Sequence, residues 1–173
     1  MTISRKIEGF MTKASWIRRM FEEGNKLKAR FGEESVFDFT LGNPLLSPPE
    51  QVISTLKRIA GSDDPGLHRY MNNAGYPEVR ASIAGYLSGQ VGLSFGTRHI
   101  LMTVGAAGAM NVFLKAVLDP EDEVIIIAPF FVEYLFYIDN HGGKTVKVDA
   151  GEGFDLDVGA IEKAVTPHTK AVI

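Results

Sequence analysis

The sequence contains no cysteine, which excludes disulfide bonds, thiolate metal ligands and a cysteine nucleophile. It also lacks an excess of basic residues. A formal net charge of -3 over 173 residues argues against a nucleic-acid partner. The longest apolar run, residues 124–132, is too short to cross a bilayer, and the first eight residues lack the apolar core of a signal peptide. We therefore expect a cytoplasmic protein with no membrane partner.

Common motifs of catalysis and nucleotide binding are also missing. The four histidines are too scattered for a short metal-binding spacing. Residues 92–96 fit the G-x-S-x-G pattern of hydrolases, but here a predicted helix precedes the motif and a predicted strand follows it, which is the wrong order. Gly105 and Gly108 do not complete a dinucleotide-binding G-x-G-x-x-G motif.

The most informative stretch lies around Gly105. Residues 100–104 are apolar and partly β-branched, which predicts a buried strand, and the segment from Ala106 has helical spacing. No acidic residue stands beside Gly105 to cap that helix, so its first backbone N–H groups would face outward as an anion site. The small side chains of Ala106 and Ala107 would let a phosphate approach. A plain tight connection between strand and helix would look the same, so both interpretations stay open at this point.

Periodicity predicts the elements before this stretch. Residues 1–14 are expected to form an irregular arm, and a helix should run from Ser15 to Gly32. Residues 37–41 alternate like a short strand. Residues 47–50 match a capping box, with Ser47 as the cap of a helix that ends at Gly61. That helix should turn four apolar residues inward: Val52, Ile53, Leu56 and Ile59.

After Gly105, strands and helices alternate. Strands are predicted at 123–128 and 144–149, and helices at 130–140 and 157–165. Because 123–128 is apolar without alternation, it should be covered on both faces. The alternation predicts an α/β fold with a mostly parallel sheet. Residues 169–173 have the pattern of the opening of another buried strand, so we expect the sequence to be a fragment.

Four segments in this order, at 39–44, 69–80, 103–109 and 119–134, resemble class I/II aminotransferases of the fold-type-I pyridoxal-phosphate-dependent family. The resemblance implies a three-layer α/β/α fold with a mostly parallel sheet, truncated after about half of the family's chain. Residues 1–47 would hold the arm, helix and short strand of the small domain. Residues 48–173 would begin the large cofactor-binding domain.

The same resemblance implies a binding site for pyridoxal 5'-phosphate. The backbone N–H groups of Ala106 and Ala107, after Gly105, would hold the cofactor phosphate. Phe131 would stack on the cofactor ring, an arrangement that aromatic rings favour. Family members often carry hydroxyl residues at the phosphate turn, whereas this chain has alanines, so the backbone alone would bind there.

Two further residues would complete the implied site. Tyr70 would reach the phosphate in the neighbouring subunit, which implies a homodimer with shared sites, and Gly42 would line the pocket for the substrate carboxylate. Each also has a structural interpretation, since Phe131 suits an apolar core, Tyr70 a loop cover and Gly42 a turn.

The implied catalytic residues lie outside this sequence. The family's Schiff-base lysine, the aspartate that pairs with the cofactor ring, an asparagine and the carboxylate-binding arginine are all expected beyond residue 173. Lys115, Lys144 and Lys170 do not occupy the lysine's place. We therefore name no catalytic residue and expect the fragment alone to be inactive.

The predicted function is thus the N-terminal part of a pyridoxal-phosphate-dependent aminotransferase that moves an amino group from an amino acid to a 2-oxo acid. One alternative is another fold-type-I enzyme, such as a decarboxylase, lyase or acyltransferase, because one fold hosts several chemistries. The other is a non-catalytic, truncated scaffold domain.

Overall fold

A computed structural model describes residues 2–13, 15–39, 42 and 44–173, with the side chains of 12–19 left out. The chain divides into two compact units, Met1–Pro65 and Gly66–Ile173. We call them unit 1 and unit 2.

Unit 1 is helical. It contains α1 (Arg5–Lys13), α2 (Ser15–Phe31), a short 3-10 turn at Glu33–Ser35, and α3 (Glu50–Ala60). The predicted helix from Ser15 to Gly32 is confirmed, and Gly32 ends it with a φ of 88° that favours glycine. The prediction of an irregular arm at residues 1–14 is wrong, because the helix α1 forms there. At its start, the Ser4 hydroxyl accepts a hydrogen bond from the Ile7 N–H at 3.2 Å.

The segment after α2 shows no strand at residues 37–39, while Thr40 and Leu41 of the predicted strand lie outside the described residues. An ion pair fixes this segment instead. The Lys28 Nζ atom of α2 lies 2.7 Å from Asp38 Oδ2, and both side chains are largely buried.

The prediction of a capping box at residues 47–50 is wrong. The helix α3 begins only at Glu50, and its N-cap, Pro49, provides no side-chain hydrogen bond. The cause is the pair of prolines, because a residue before proline is held out of the helical region, which excludes Pro48 as a helical residue. The predicted inward stripe is also exposed in this chain, by 38% to 59%.

Unit 2 alternates helices and strands. Its elements are α4 (Pro77–Val91), a 3-10 turn at Thr97–His99, α5 (Gly105–Val117), β1 (Glu123–Ala128), α6 (Glu133–Asn140), β2 (Lys144–Asp149), a 3-10 turn at Glu152–Phe154, α7 (Val158–Ala164) and β3 (Thr169–Val172). The strands form one parallel sheet in the order β2-β1-β3. This confirms the predicted α/β fold with a parallel sheet.

The strand β1 forms the centre of the core. Three successive side chains, Val124, Ile125 and Ile126, are fully buried. Successive side chains of a strand point to opposite faces, so both faces are covered, as predicted. On one face, Leu114 of α5 and Ile138 of α6 complete the buried cluster.

The strand predicted at residues 100–104 is wrong. This segment is not hydrogen-bonded to any strand of the described chain, and Val104 is 94% exposed. A strand requires backbone hydrogen bonds to a neighbouring strand as well as an apolar sequence. Residues 100–104 have the apolar sequence but not the hydrogen bonds. The segment instead runs without regular structure into α5.

Candidate functional site

The turn at Gly105 joins this extended segment to α5. Gly105 has a φ of +67°, and a Cβ added there would meet no atom within 4 Å. Its N–H donates to the Thr103 carbonyl at 3.0 Å. The preceding residue, Val104, gives no side-chain cap to α5. A left-handed, uncapped turn thus opens the helix to solvent.

The next two backbone N–H groups are free. Within the described chain, neither the Ala106 N–H nor the Ala107 N–H has an acceptor, while the Gly108 N–H reaches the Val104 carbonyl at 3.3 Å. Both alanines are exposed. Two unpaired donors at the positive end of a helix are what an anion requires, and small side chains leave room for it.

Hydrogen bonds from side chains that were not predicted as site residues support this turn. The Thr103 hydroxyl donates to the Gly105 carbonyl at 3.1 Å. The Asn111 amide donates to the Ala107 carbonyl at 2.9 Å, and its oxygen lies 3.1 Å from His141 Nε2. The spacing of Asn111 four residues after Ala107 could have suggested the first contact, but no sequence signal points to His141.

Phe131 lies in the link between β1 and α6, at the carboxyl end of the sheet, which is where ligands bind in open α/β folds. The residue is 59% exposed. Tyr134 meets it edge to face, with centroids 5.8 Å apart and planes at 86°. This contact orients the Phe131 ring while leaving more than half of it accessible.

Tyr70 lies in the loop before α4, and its side chain is fully exposed. Gly42 belongs to unit 1, where an added Cβ would meet nothing within 4 Å. The structure thus brings Gly105, Ala106 and Ala107 together in one turn. Within the part of unit 2 that is described, no hydrogen bond or ring contact joins that turn to Tyr70 or Phe131.

The described residues show neither a metal-binding cluster nor a membrane-spanning helix. Their His, Asp and Glu side chains form no group of three suited to a metal ion. None of their helices combines the length and the apolar character needed to cross a membrane.

Comparisons with known proteins agree on one family. The family model described as "Aminotransferase class I and II" matches residues 34–173. The aspartate/prephenate aminotransferase of Thermus thermophilus is 35% identical over 78% of this chain and 34% of its own length. The aromatic-amino-acid aminotransferase 2 of Thermococcus litoralis is 31% identical over 100% of this chain and 42% of its own.

Solved structures show the same similarity. An aminotransferase from Eubacterium rectale superposes with a TM-score of 0.90 at 35% identity, covering 99% of this chain and 44% of that one. A single mutant of the Thermus thermophilus aspartate aminotransferase gives a TM-score of 0.83 at 30% identity, with the same coverage. The chain therefore spans less than half of the length of these proteins.

Proposed function

The chain belongs to the class I and II aminotransferase family, and from this premise we propose that it forms the N-terminal part of a pyridoxal-phosphate-dependent aminotransferase. The enzyme would move an amino group from an amino acid to a 2-oxo acid. The observation that carries the proposal is the pair of free N–H groups, of Ala106 and Ala107, within the matched region.

The residues present fit the cofactor. A phosphate needs hydrogen-bond donors and positive potential, and the first turn of α5 offers both. The missing Cβ of Gly105 keeps the approach open. When bound, pyridoxal 5'-phosphate supplies an electron sink for the substrate's reacting carbon, while the protein supplies orientation.

Each proposed residue then has a limited task. The N–H groups of Ala106 and Ala107 hold the phosphate, and the Phe131 ring stacks on the cofactor ring to fix its plane. Tyr70 of a second copy donates its hydroxyl to the phosphate, which requires a homodimer. Gly42 leaves space for the substrate carboxylate. Residues 1–47 would belong to a small domain and 48–173 to a large one, in a cytoplasmic enzyme.

The substrates are proposed only as classes. Relatives are named for aspartate, prephenate, aromatic amino acids and N-acetyl-LL-diaminopimelate. Their names share an amino-group transfer and differ in the side chain of the substrate. This range supports an amino acid donor and a 2-oxo acid acceptor for this protein.

The test replaces Gly105 with Val in the full-length enzyme. Gly92 provides a matched control, because its φ of +68° equals that of Gly105 within a degree and its added Cβ also meets nothing within 4 Å. Both variants carry similar backbone strain, but Gly92 lies at the carboxyl end of α4, where the negative end of the helix dipole disfavours an anion.

We expect Gly105→Val to weaken pyridoxal 5'-phosphate binding about tenfold or more, because one hydrogen bond to a charged group contributes about 1.5–3 kcal/mol. Gly92→Val should retain the cofactor. Equilibrium dialysis with detection of the cofactor's absorbance measures both. Equal retention by the two variants would contradict the phosphate site.

A further inference from the structure

Arg80 connects α4 to the segment that leads into the Gly105 turn. Its Nε atom donates to the Ile100 carbonyl at 2.8 Å, and its Nη2 atom donates to the Thr97 carbonyl at 2.6 Å. The forked guanidinium thus bonds two main-chain carbonyls three residues apart. A lysine has one nitrogen and cannot reproduce this geometry.

A second contact ties the same segment to the loop that carries Tyr70. The Met102 N–H donates to the Ala74 carbonyl at 3.0 Å. Gly75 is buried with a φ of +97°, and a Cβ there would lie 2.4 Å from Met102 Cγ and 3.8 Å from Arg80 Cδ. We call Arg80, Gly75 and Met102 the Arg80 cluster.

These contacts matter because the segment at residues 100–104 has no strand ladder within the described chain. In a sheet, backbone hydrogen bonds on both sides would fix its position. Here the Arg80 cluster provides the hydrogen bonds that hold it to the rest of unit 2. Charge-assisted bonds of this kind are also stronger than neutral ones.

We propose that Arg80 is a positioning residue that fixes the Gly105 turn against the rest of its own unit 2, so that the phosphate of the bound cofactor meets the Ala106 and Ala107 N–H groups held in place. This inference rests on the proposed function. The Nε and Nη2 atoms of Arg80 are bound to carbonyl oxygens of its own chain, so we assign Arg80 no contact with the phosphate. Its effect should therefore be specific to the phosphate group of the ligand.

The experiment compares two ligands, pyridoxal 5'-phosphate and pyridoxal, which lacks the phosphate. The readout is the ratio of their dissociation constants in the full-length enzyme, measured by fluorescence titration. We expect Arg80→Gln to reduce this preference for the phosphorylated ligand about tenfold, since small misplacements of binding groups have effects of that order or larger. Arg80→Lys, which keeps the charge but bonds one carbonyl at most, should give an intermediate ratio.

Arg58→Gln is the matched control, because Arg58 is exposed on α3 and its side chain makes no hydrogen bond among the described residues. Its ratio should equal that of the unmodified enzyme. A loss of overall folding stability would lower both affinities together and leave the ratio unchanged. If Arg80→Gln does not fold, Arg80→Lys decides the question by the same ratio.

The outcomes separate this inference from the proposed function. If Gly105→Val abolishes the preference and the folded Arg80 variants keep it, Arg80 has no positioning role. If neither substitution changes the preference, the phosphate site at Gly105 is itself wrong. A reduced ratio in both supports the inference.

Discussion

The helices of unit 1 are strongly amphipathic and those of unit 2 are more apolar, and the two units bury their apolar side chains very differently. In unit 2, seven apolar side chains are almost completely buried: Ala84, Leu114, Val124, Ile125, Ile126, Ile138 and Val148. Among the described residues of unit 1, Gly24 alone is buried. The difference shows that an amphipathic pattern identifies a face to be covered but does not guarantee a cover within the same chain.

The two units differ in whether neighbouring elements pack against their apolar faces. One face of the strand β1 is covered by α5 and α6, which lie immediately before and after it in sequence. The helix α3 has an equally regular stripe, and its four apolar residues stay 38% to 59% exposed. Stability should therefore be concentrated in unit 2, and three pairs of substitutions compare the two units.

The largest expected effect is at the centre of the sheet. Ile126→Ala should lower the free energy of unfolding by about 2–5 kcal/mol, because it removes a fully buried side chain and leaves a cavity. Ile53→Ala makes the same chemical change on α3, where the side chain is 40% exposed, and should cost about 1 kcal/mol or less. Urea denaturation followed by circular dichroism measures both. Equal losses of unfolding free energy in the two variants would contradict a concentration of stability in unit 2.

The second test compares two helix starts. The Asp157 carboxylate accepts a hydrogen bond from the Ala160 N–H at 2.9 Å and so caps α7 in unit 2. Asp157→Ala should cost about 0.5–2 kcal/mol. Ser47→Ala in unit 1 should change stability by about 0.5 kcal/mol or less, since Ser47 does not cap α3. If Ser47→Ala lowered the free energy of unfolding as much as Asp157→Ala, Ser47 would cap α3 after all.

The smallest effect concerns one ion pair in each unit. The hydrogen bond that Lys28 donates to Asp38 raises the pKa of Lys28 above its ordinary value of 10.5, and the one that Lys144 donates to Glu121 raises the pKa of Lys144 in the same way. A raised lysine pKa means that the stabilisation is complete below the unfolded-state pKa and is lost as pH rises through the folded-state value. Stability should therefore fall at pH above 10.5.

Added salt distinguishes the two pairs. The Lys144 and Glu121 side chains are 58% and 71% exposed, whereas those of Lys28 and Asp38 are 28% and 20% exposed. Salt should screen the more exposed pair more strongly. Lys28→Met and Lys144→Met, each unfolded in urea at low and high salt, give the comparison. A larger salt dependence for the Lys28 pair would reverse the expected order.

The fold was predictable where the signal was local. The unbroken apolar run of β1 and the glycine that ends α2 are each visible in a few adjacent residues. The prediction failed where a distant partner decides the outcome. Residues 100–104 have the composition of a strand, but strand formation depends on a neighbour that composition does not reveal.

The candidate site divides in the same way. Gly105, Ala106 and Ala107 are adjacent, so their turn could be recognised from the sequence. The contact between Asn111 and His141 joins residues thirty positions apart, and the bonds from Arg80 span seventeen and twenty positions. Such contacts depend on how the loops pack, and no periodicity encodes them.

The position of β1 also has a consequence for the synthesis of the protein. Although β1 is the first strand in sequence, it lies in the middle of the sheet, and its partner β3 begins at Thr169. A ribosome adds about 5–20 residues per second, so one edge of β1 emerges seconds before the strand that pairs with it. An open strand edge can recruit other chains. The nascent protein is therefore open to misassembly between the emergence of β1 and that of β3.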